Sequence, residues 1–251
     1  MYDPNGNLFG GDGRTITFDN LDRPIDGRVL VVAGQNSGSS RYLASAEIYD
    51  SATGSFAPTG SLSRVSLTHA ATLLGNGTVL VAGGDGTNAA QIYDPGTGMF
   101  RATGSMINTR GGPQATLLAN GKVLFTGGIG PPYGDGVVAA ESYDPASETF
   151  TPAGAAIGCH STATRLPNGM VLLAGGGPVI CSGIYSSDVG AELYDPTKGT
   201  FDFTINMNLW REEGHTATRL PDGKVLFTGG VRIVPQGTSA TIYTAELFSI
   251  P

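Results

Sequence analysis

The sequence predicts an all-β chain made of five repeated four-stranded units, and three observations carry that prediction. A phrase recurs: N-G-x-V-L-x-x-G-G, a variable loop, then A-E-x-Y-D-P-x-T-G-x-F. Its Val-Leu core starts at Val29, Val79, Val123, Val171 and Val225, so successive copies lie 44 to 54 residues apart. Turn-forming residues stand at fixed offsets inside each copy, and no segment keeps a helical period. Self-similarity at this period marks propellers, solenoids or arrays.

The second copy displays the unit. Ala70–Leu74 is a short apolar strand. Asn76-Gly77 is the strongest two-residue hairpin signal, and it predicts a type I′ turn with positive φ at both centres. Val79–Ala82 returns as a second strand, ended by Gly83-Gly84. After a loop, Ala90–Tyr93 is a third strand of alternating character. Asp94-Pro95-Gly96-Thr97-Gly98 is a tight turn, because Pro presets φ and Asp can hydrogen-bond its own backbone. Met99–Thr103 is the fourth strand. Asn120-Gly121, Asn168-Gly169 and Asp222-Gly223 repeat the hairpin, and Asp144-Pro145 and Asp195-Pro196 repeat the second turn, with Asp50-Ser51 as its weaker form. Four antiparallel strands at this period predict a radial β-propeller of five blades. A linear solenoid would need polar capping repeats at its ends, and the sequence has none.

The two ends predict circular closure. The last copy stops after its third strand, Ala245–Phe248, while Asn5–Gly10 resembles a turn and a fourth strand. The N-terminal strand is therefore expected to close the last blade and remove exposed sheet edges. One detail fits badly: Tyr2-Asp3-Pro4 duplicates the end of a third strand that Phe248-Ser249 already fills. The expectation is one domain over residues 1–251, with a piece of a longer propeller as the alternative.

Composition narrows the function classes. The 39 glycines among 251 residues fall at fixed offsets, which is turn chemistry and not disorder. Only 14% of residues are charged and the net charge is −7, which argues against a nucleic-acid partner. No apolar run approaches the ~20 residues of a membrane span. Met1 runs straight into a repeat phrase, so the lack of a leader carries no information about compartment.

The phrase resembles kelch repeats, specifically the bacterial type found alone and in galactose-oxidase-like central domains. The Gly-Gly pair matches at Gly83-Gly84, Gly127-Gly128, Gly175-Gly176 and Gly229-Gly230. The following tyrosine matches at Tyr49, Tyr93, Tyr143 and Tyr194. Phe56, Phe100, Phe150 and Phe201 hold the kelch tryptophan position, and the Met-x-x-x-Arg pattern survives at Met106 with Arg110 and at Met207 with Arg211. The resemblance covers nearly the whole chain and implies the propeller fold. One fold hosts unrelated activities, so it implies little about function.

The chemical candidates are weak by comparison. His69 and His215 share one repeat position at the start of the innermost strand, where a structural hydrogen bond is the plainer reading, and His160 is displaced from it by one residue. The copper oxidases that share this fold carry a Tyr-His dipeptide at the metal. Here none of the nine tyrosines is followed by His, and five are followed by Asp. Trp210, the only tryptophan, is not in a sialidase-type Asp box. Adjacent Glu212-Glu213 point apart on a strand, so they make a poor glycosidase pair. Asp85-Gly86-Thr87-Asn88 and Asp12-Gly13 lack the ligand series of a calcium loop. No catalytic residue, metal or cofactor is expected. Cys159 and Cys181 lie in two loops of blade four that emerge on one face. A disulfide there is reachable and would imply an oxidising, extracytoplasmic or secreted setting. Two unrelated buried thiols are the alternative.

Function is therefore expected where the repeat is interrupted, since loops on a rigid scaffold carry it. The loops after each Gly-Gly hold Tyr42, Tyr133, Tyr185 and Tyr243, with Arg41, Asp188 and Arg232 nearby. The connections into the innermost strands add Arg64, Arg110, Trp210, Arg211 and Glu212 to the same face. Tyr, Trp and Arg on a rigid face are the residue types of binding hot spots. The binding set expected from the sequence is Arg41, Tyr42, Tyr133, Tyr185, Asp188, Trp210, Arg211, Arg232 and Tyr243. The expectation is a monomeric, non-catalytic propeller that recognises a protein or a glycan. A hydrolase or galactose-oxidase-like site at the channel mouth is the alternative, and a purely architectural role a third.

Overall fold

The computed structural model describes residues 8–9, 15–16, 28–36, 41–64, 66, 68–84, 86–130, 136–137, 139–156, 161–176, 190–209, 211, 213–234 and 238–249. Among them every regular element is a β-strand. The strands form five antiparallel sheets that stand as blades in a ring. Blade two runs Ala70–Leu73, Val79–Ala82, Ala90–Asp94, Met99–Ala102 from the inside out. Blade three is Gln114–Leu117, Val123–Thr126, Ala139–Asp144, Thr149–Ala155, and blade four is Thr162–Arg165, Val171–Ala174, Gly190–Asp195, Thr200–Asn206. In blade one, Arg28–Asn36, Arg41–Asp50 and Ser55–Pro58 are the outer three strands, with Thr15–Ile16 inside them beside Val31 and Leu8–Phe9 at the inner edge. Innermost strands of blades two to five lie side by side.

The second strand of each blade is Val-Leu-rich because both its faces are covered. Val79–Ala82, Val123–Thr126 and Val171–Ala174 are buried at every position. Side chains alternate between the two neighbouring blades, so Leu80, Ala82 and Ile92 pack against Val123, Phe125 and Tyr143 of the next sheet. The repeated tyrosine and phenylalanine face each other across the third and fourth strands, with ring centroids 4.9 Å apart for Tyr49–Phe56, Tyr93–Phe100 and Tyr143–Phe150, and 4.8 Å for Tyr194–Phe201. The Tyr93 hydroxyl reaches back to Thr59 Oγ1 at 2.7 Å, and Tyr143 to Thr103 Oγ1 at 2.7 Å, which ties each blade to the connection before it.

The Asp-Pro turns are as the sequence predicts. Gly54, Gly98 and Gly199 each donate their N–H to the carbonyl of Asp50, Asp94 and Asp195 at 2.8 Å, and each of those carboxylates accepts the N–H two residues on. The Asn-Gly hairpin differs from the expected type I′ turn. Gly77 has φ +84°, but Asn76 is absent from the residues of positive φ. Gly77 donates to Leu74 O at 3.0 Å, and Asn76 Oδ1 accepts from Thr78 N at 3.1 Å. The loop is thus three residues, a type I turn closed by a left-handed glycine. The asparagine side chain fixes it by bonding the backbone, so only the glycine needs positive φ.

The closure of the ring also differs from the expectation. Leu8–Phe9 does not lie beside Ala245–Phe248. It pairs with Thr15–Ile16 on the inner side of blade one. Chain length explains this. The fourth-strand phenylalanine and the middle of the next innermost strand are separated from Phe56 to Ala71, from Phe100 to Ala115, from Phe150 to Ala163 and from Phe201 to Ala217, that is 13 to 16 residues. From Phe9 to Ile16 there are seven, about half the number of residues that the other blades use for that step. A local hairpin also has the smaller closure entropy. Blade five consequently has Glu213–Arg219, Val225–Val234 and Ala245–Phe248 as its blade strands, with no strand outside the last among the described residues. Its second strand runs on past Gly229-Gly230 and folds back through Thr238–Thr241.

Candidate functional site

In an antiparallel blade the loops between strands two and three emerge at the same end as the connections to the next blade. That end is the loop face, and two blades extend it with arms. In blade one the pairing continues past a bulge between Val32 and Gly34 to Gln35↔Tyr42 and Asn36↔Arg41. In blade five it continues through Arg232↔Ala240 to Val234↔Thr238. Tyr42 is 44% exposed on the first arm. Tyr243 follows the second and is 92% exposed, on backbone anchored by the Ile242 N–H to Gly230 O bond of 2.8 Å.

Two of the sequence-expected arginines lie beneath the face. Arg211 is fully buried, and its guanidinium donates to Glu246, to the Thr244 carbonyl at 3.0 Å and to the Gly229 carbonyl. Arg110 is its repeat equivalent. It is also fully buried and donates to Glu141 Oε1 at 2.7 Å, Ala139 O at 2.6 Å and Gly127 O at 2.9 Å. Burial pulls the Arg110 guanidinium below its usual value, and the Glu141 carboxylate pulls it back up. The same carboxylate collects loop backbone: Ile107 N at 2.5 Å and Asn108 N at 2.9 Å. In blade five Glu246 accepts from Asn208 N at 2.7 Å and Leu209 N at 3.3 Å.

The pair is not repeated in every blade. Before blade two, Ser66 stands where Arg110 and Arg211 stand elsewhere, and Gln91 stands where Glu141 and Glu246 stand. Gln91 Oε1 still accepts the Ser63 N–H at 3.1 Å. In blade four Glu192 is buried at the same third-strand position, although the connection before that blade contains no arginine.

The struts have a consequence for the surface. They hold loop backbone with apolar side chains turned outward: Ile107 is 52% and Leu209 36% exposed. Ile129, 45% exposed, sits on backbone fixed by a reciprocal pair of 2.8 Å bonds with Gly111. Sequence reasoning missed these three, although an isoleucine or leucine inside a polar turn phrase is itself a signal. Arg64 is exposed on the same face and Arg232 is half-buried. Arg41 lies in the strand Arg41–Asp50, and its side chain is not among the described parts. Tyr133, Tyr185, Asp188 and Trp210, together with Cys159, Cys181, His160 and Glu212, lie outside the described residues.

The two described histidines sit between innermost strands. His215 is buried and hydrogen-bonds Thr162 Oγ1 at 3.1 Å and Ser161 Oγ at 3.3 Å. Both ring nitrogens of His69 are covered and have no hydrogen-bond partner among the described residues, and this burial pushes its imidazole down to about 4. Among the described residues no three His, Cys, Asp or Glu side chains are placed to share a metal ion, and no helix is long and apolar enough to cross a membrane.

A family model for the kelch motif matches residues 24–63, one repeat's length across blade one. With five antiparallel sheets in a ring, the chain is a five-bladed β-propeller that carries a kelch motif in its first blade. No curated protein matches it. Propellers of the kelch type are typically protein-interaction scaffolds.

Proposed function

We propose that this kelch propeller is a non-catalytic recognition module that binds a protein on its loop face. The observation that carries the reading is the set of exposed apolar and aromatic side chains on hydrogen-bonded backbone at that end: Tyr42, Ile107, Ile129, Leu209 and Tyr243. Pre-ordered backbone lowers the entropy lost on docking, and tyrosine anchors give large contact area at low rotamer cost. Arg64 adds a charged donor to the rim. The buried arginines act indirectly, by fixing the loops that present Ile107 and Leu209.

The test compares capture by the immobilised chain with capture by Y42A/Y243A, and by K122A/K198A at the opposite end. The expected result is a protein partner retained by the parent and the lysine variant, and bound at least about tenfold more weakly by the tyrosine variant, a loss of about 1.4 kcal/mol. Unchanged melting temperatures would confirm that folding is intact. Equal capture by all three chains would refute the loop-face reading. A glycan array run with the same proteins separates the carbohydrate reading: tyrosine-dependent glycan binding without a protein partner would replace protein by glycan.

A further inference from the structure

We infer that Asn76, Asn120 and Asn168 are sites of spontaneous deamidation, each latched by its own hairpin and reactive only when that hairpin opens. This does not depend on the loop-face reading, because these hairpins join the first and second strands at the opposite end of the blades. Each asparagine is exposed. Each is followed by a glycine, which has no side chain to shield its backbone nitrogen. That nitrogen, once it has lost its proton to solvent, attacks the asparagine Cγ. The N–Cγ bond forms, the bond from Cγ to the side-chain nitrogen breaks, and that nitrogen leaves as ammonia with the proton returned. A five-membered succinimide remains. Water, the one co-reactant, then opens the ring at either carbonyl. One opening gives aspartate. The other gives isoaspartate, whose backbone runs through the former side chain and is one methylene longer.

Three features of the fold oppose the first step. The N–H that must be lost is donated in each hairpin: Gly77 to Leu74 O at 3.0 Å, Gly121 to Leu118 O at 3.1 Å and Gly169 to Leu166 O at 3.0 Å. The carboxamide is anchored as well. Asn76, Asn120 and Asn168 Oδ1 each accept the N–H two residues on at 3.1 Å. At Asn76 the Thr78 hydroxyl adds a second bond of 2.8 Å. The third feature is the turn. Ring closure needs Cβ, Cα, the carbonyl carbon and the glycine nitrogen nearly coplanar. The glycines hold positive φ and the asparagines do not, so each asparagine is the second central residue of a type I turn. Its ψ near about 0° keeps Cβ well out of that plane. Closure therefore demands a backbone rotation that breaks the loop. The fourth hairpin shows what the aspartate product would do. Asp222-Gly223 makes the same bonds, Gly223 N–H to Leu220 O at 3.0 Å and Lys224 N–H to Asp222 Oδ1 at 3.1 Å. Aspartate thus fits the loop. Isoaspartate does not, because it lengthens a three-residue loop and removes the side chain that anchors it.

The experiment incubates the full chain in mildly alkaline buffer, folded and unfolded in guanidinium chloride. Peptide mapping then reads aspartate and isoaspartate at each site. The expected result is conversion at all three sites in the unfolded chain. In the folded chain each should convert at least about tenfold more slowly, the factor set by a local opening of about 1.4 kcal/mol. T78V removes the second anchor of Asn76. It should speed Asn76 in the folded chain and leave Asn120 and Asn168 as they are, with a melting curve to show that the variant is folded. Equal rates in the folded and unfolded chain, or no conversion in the unfolded chain, would overturn the proposal. A T78V chain in which Asn76 is unmoved, or in which all three sites speed equally, would overturn the assignment of one latch to each hairpin.

Discussion

Arg110 and Glu141 are both fully buried, and they are compensated by each other, by backbone groups and, at Glu141, by the Asn108 side-chain amide. Removing one leaves a desolvated charge, so R110S should cost about 3–5 kcal/mol in urea unfolding. Adding E141Q reproduces the Ser66 and Gln91 arrangement that blade two already uses, and the double variant should recover more than half of that loss. Additive losses would show that the two side chains act independently. Glu148 is a different case. It holds the left-handed position, φ +55°, that Gly54, Gly98 and Gly199 hold in the equivalent turns. Its exposed pairing with Arg101 is a surface ion pair and contributes little. Relief of the backbone should dominate, and E148G should raise the melting temperature by about 2–4 °C; a fall would mean the ion pair dominates. His69 makes stability depend on pH. Its folded value of about 4 lies below the ordinary 6.5, so the unfolded chain takes the proton first. Stability is complete above about 6.5, declines as pH falls from there towards about 4, and levels off below. Unfolding of H69L measured across that window should be flatter than the parent's. Asp195, held at about 2 by the Thr197 hydroxyl and N–H and by Lys198, acts with the same sign but only below about 3.8, so the windows separate.

At the scale of the element, the repeat phrase was legible because turn chemistry is local. Asn-Gly and Asp-Pro fixed strand ends to within a residue or two, Gly-Gly did so in blades two to four but not in blade five, and the Val-Leu strands fixed the core. What was not legible depends on side-chain direction and on contacts far along the chain. Arg211 meets Glu246 across 35 residues and Arg110 meets Glu141 across 31, and nothing in a linear sequence turns those arginines inward. The type I′ expectation failed for a related reason, since the asparagine side chain chose the turn. Tyr42 and Tyr243 could be read as loop residues, whereas the outward aim of Ile107, Ile129 and Leu209 depends on struts that only the folded chain reveals. The Gly-Gly element makes the same point with a measurable contrast. Gly175 has φ +68°, and a Cβ there would lie 2.0 Å from His215 Cε1 and 2.6 Å from the Arg211 carbonyl of the next blade. Gly229 has φ +69° at the same phrase position, and its Cβ would meet nothing within 4 Å. G175A combines strain with a clash and should cost at least about 3 kcal/mol; G229A carries strain alone and should cost about 1–2 kcal/mol. Equal losses in denaturant titrations would show that blade contact adds nothing to the demand for glycine.

At the scale of the whole molecule, stability should follow how completely each sheet is covered. Blades two to four have four strands and a neighbour on each face, and their second strands are buried throughout. Blade five shares the Val225, Phe227 and Leu172 core with blade four, so its inner strands belong to the cooperative unit. Its outer strand does not have that support. Ala245 and Leu247 face solvent, and the backbone groups on the free side have no strand to pair with among the described residues. Local opening is easiest where few apolar contacts and exposed hydrogen bonds coincide. Amides of Ala245–Phe248 should therefore exchange with deuterium well before those of Ala90–Asp94, Ala139–Asp144 and Gly190–Asp195 when the chain is dilute. Uniform protection of all four third strands in dilute solution would mean that blade five is already complete within one chain.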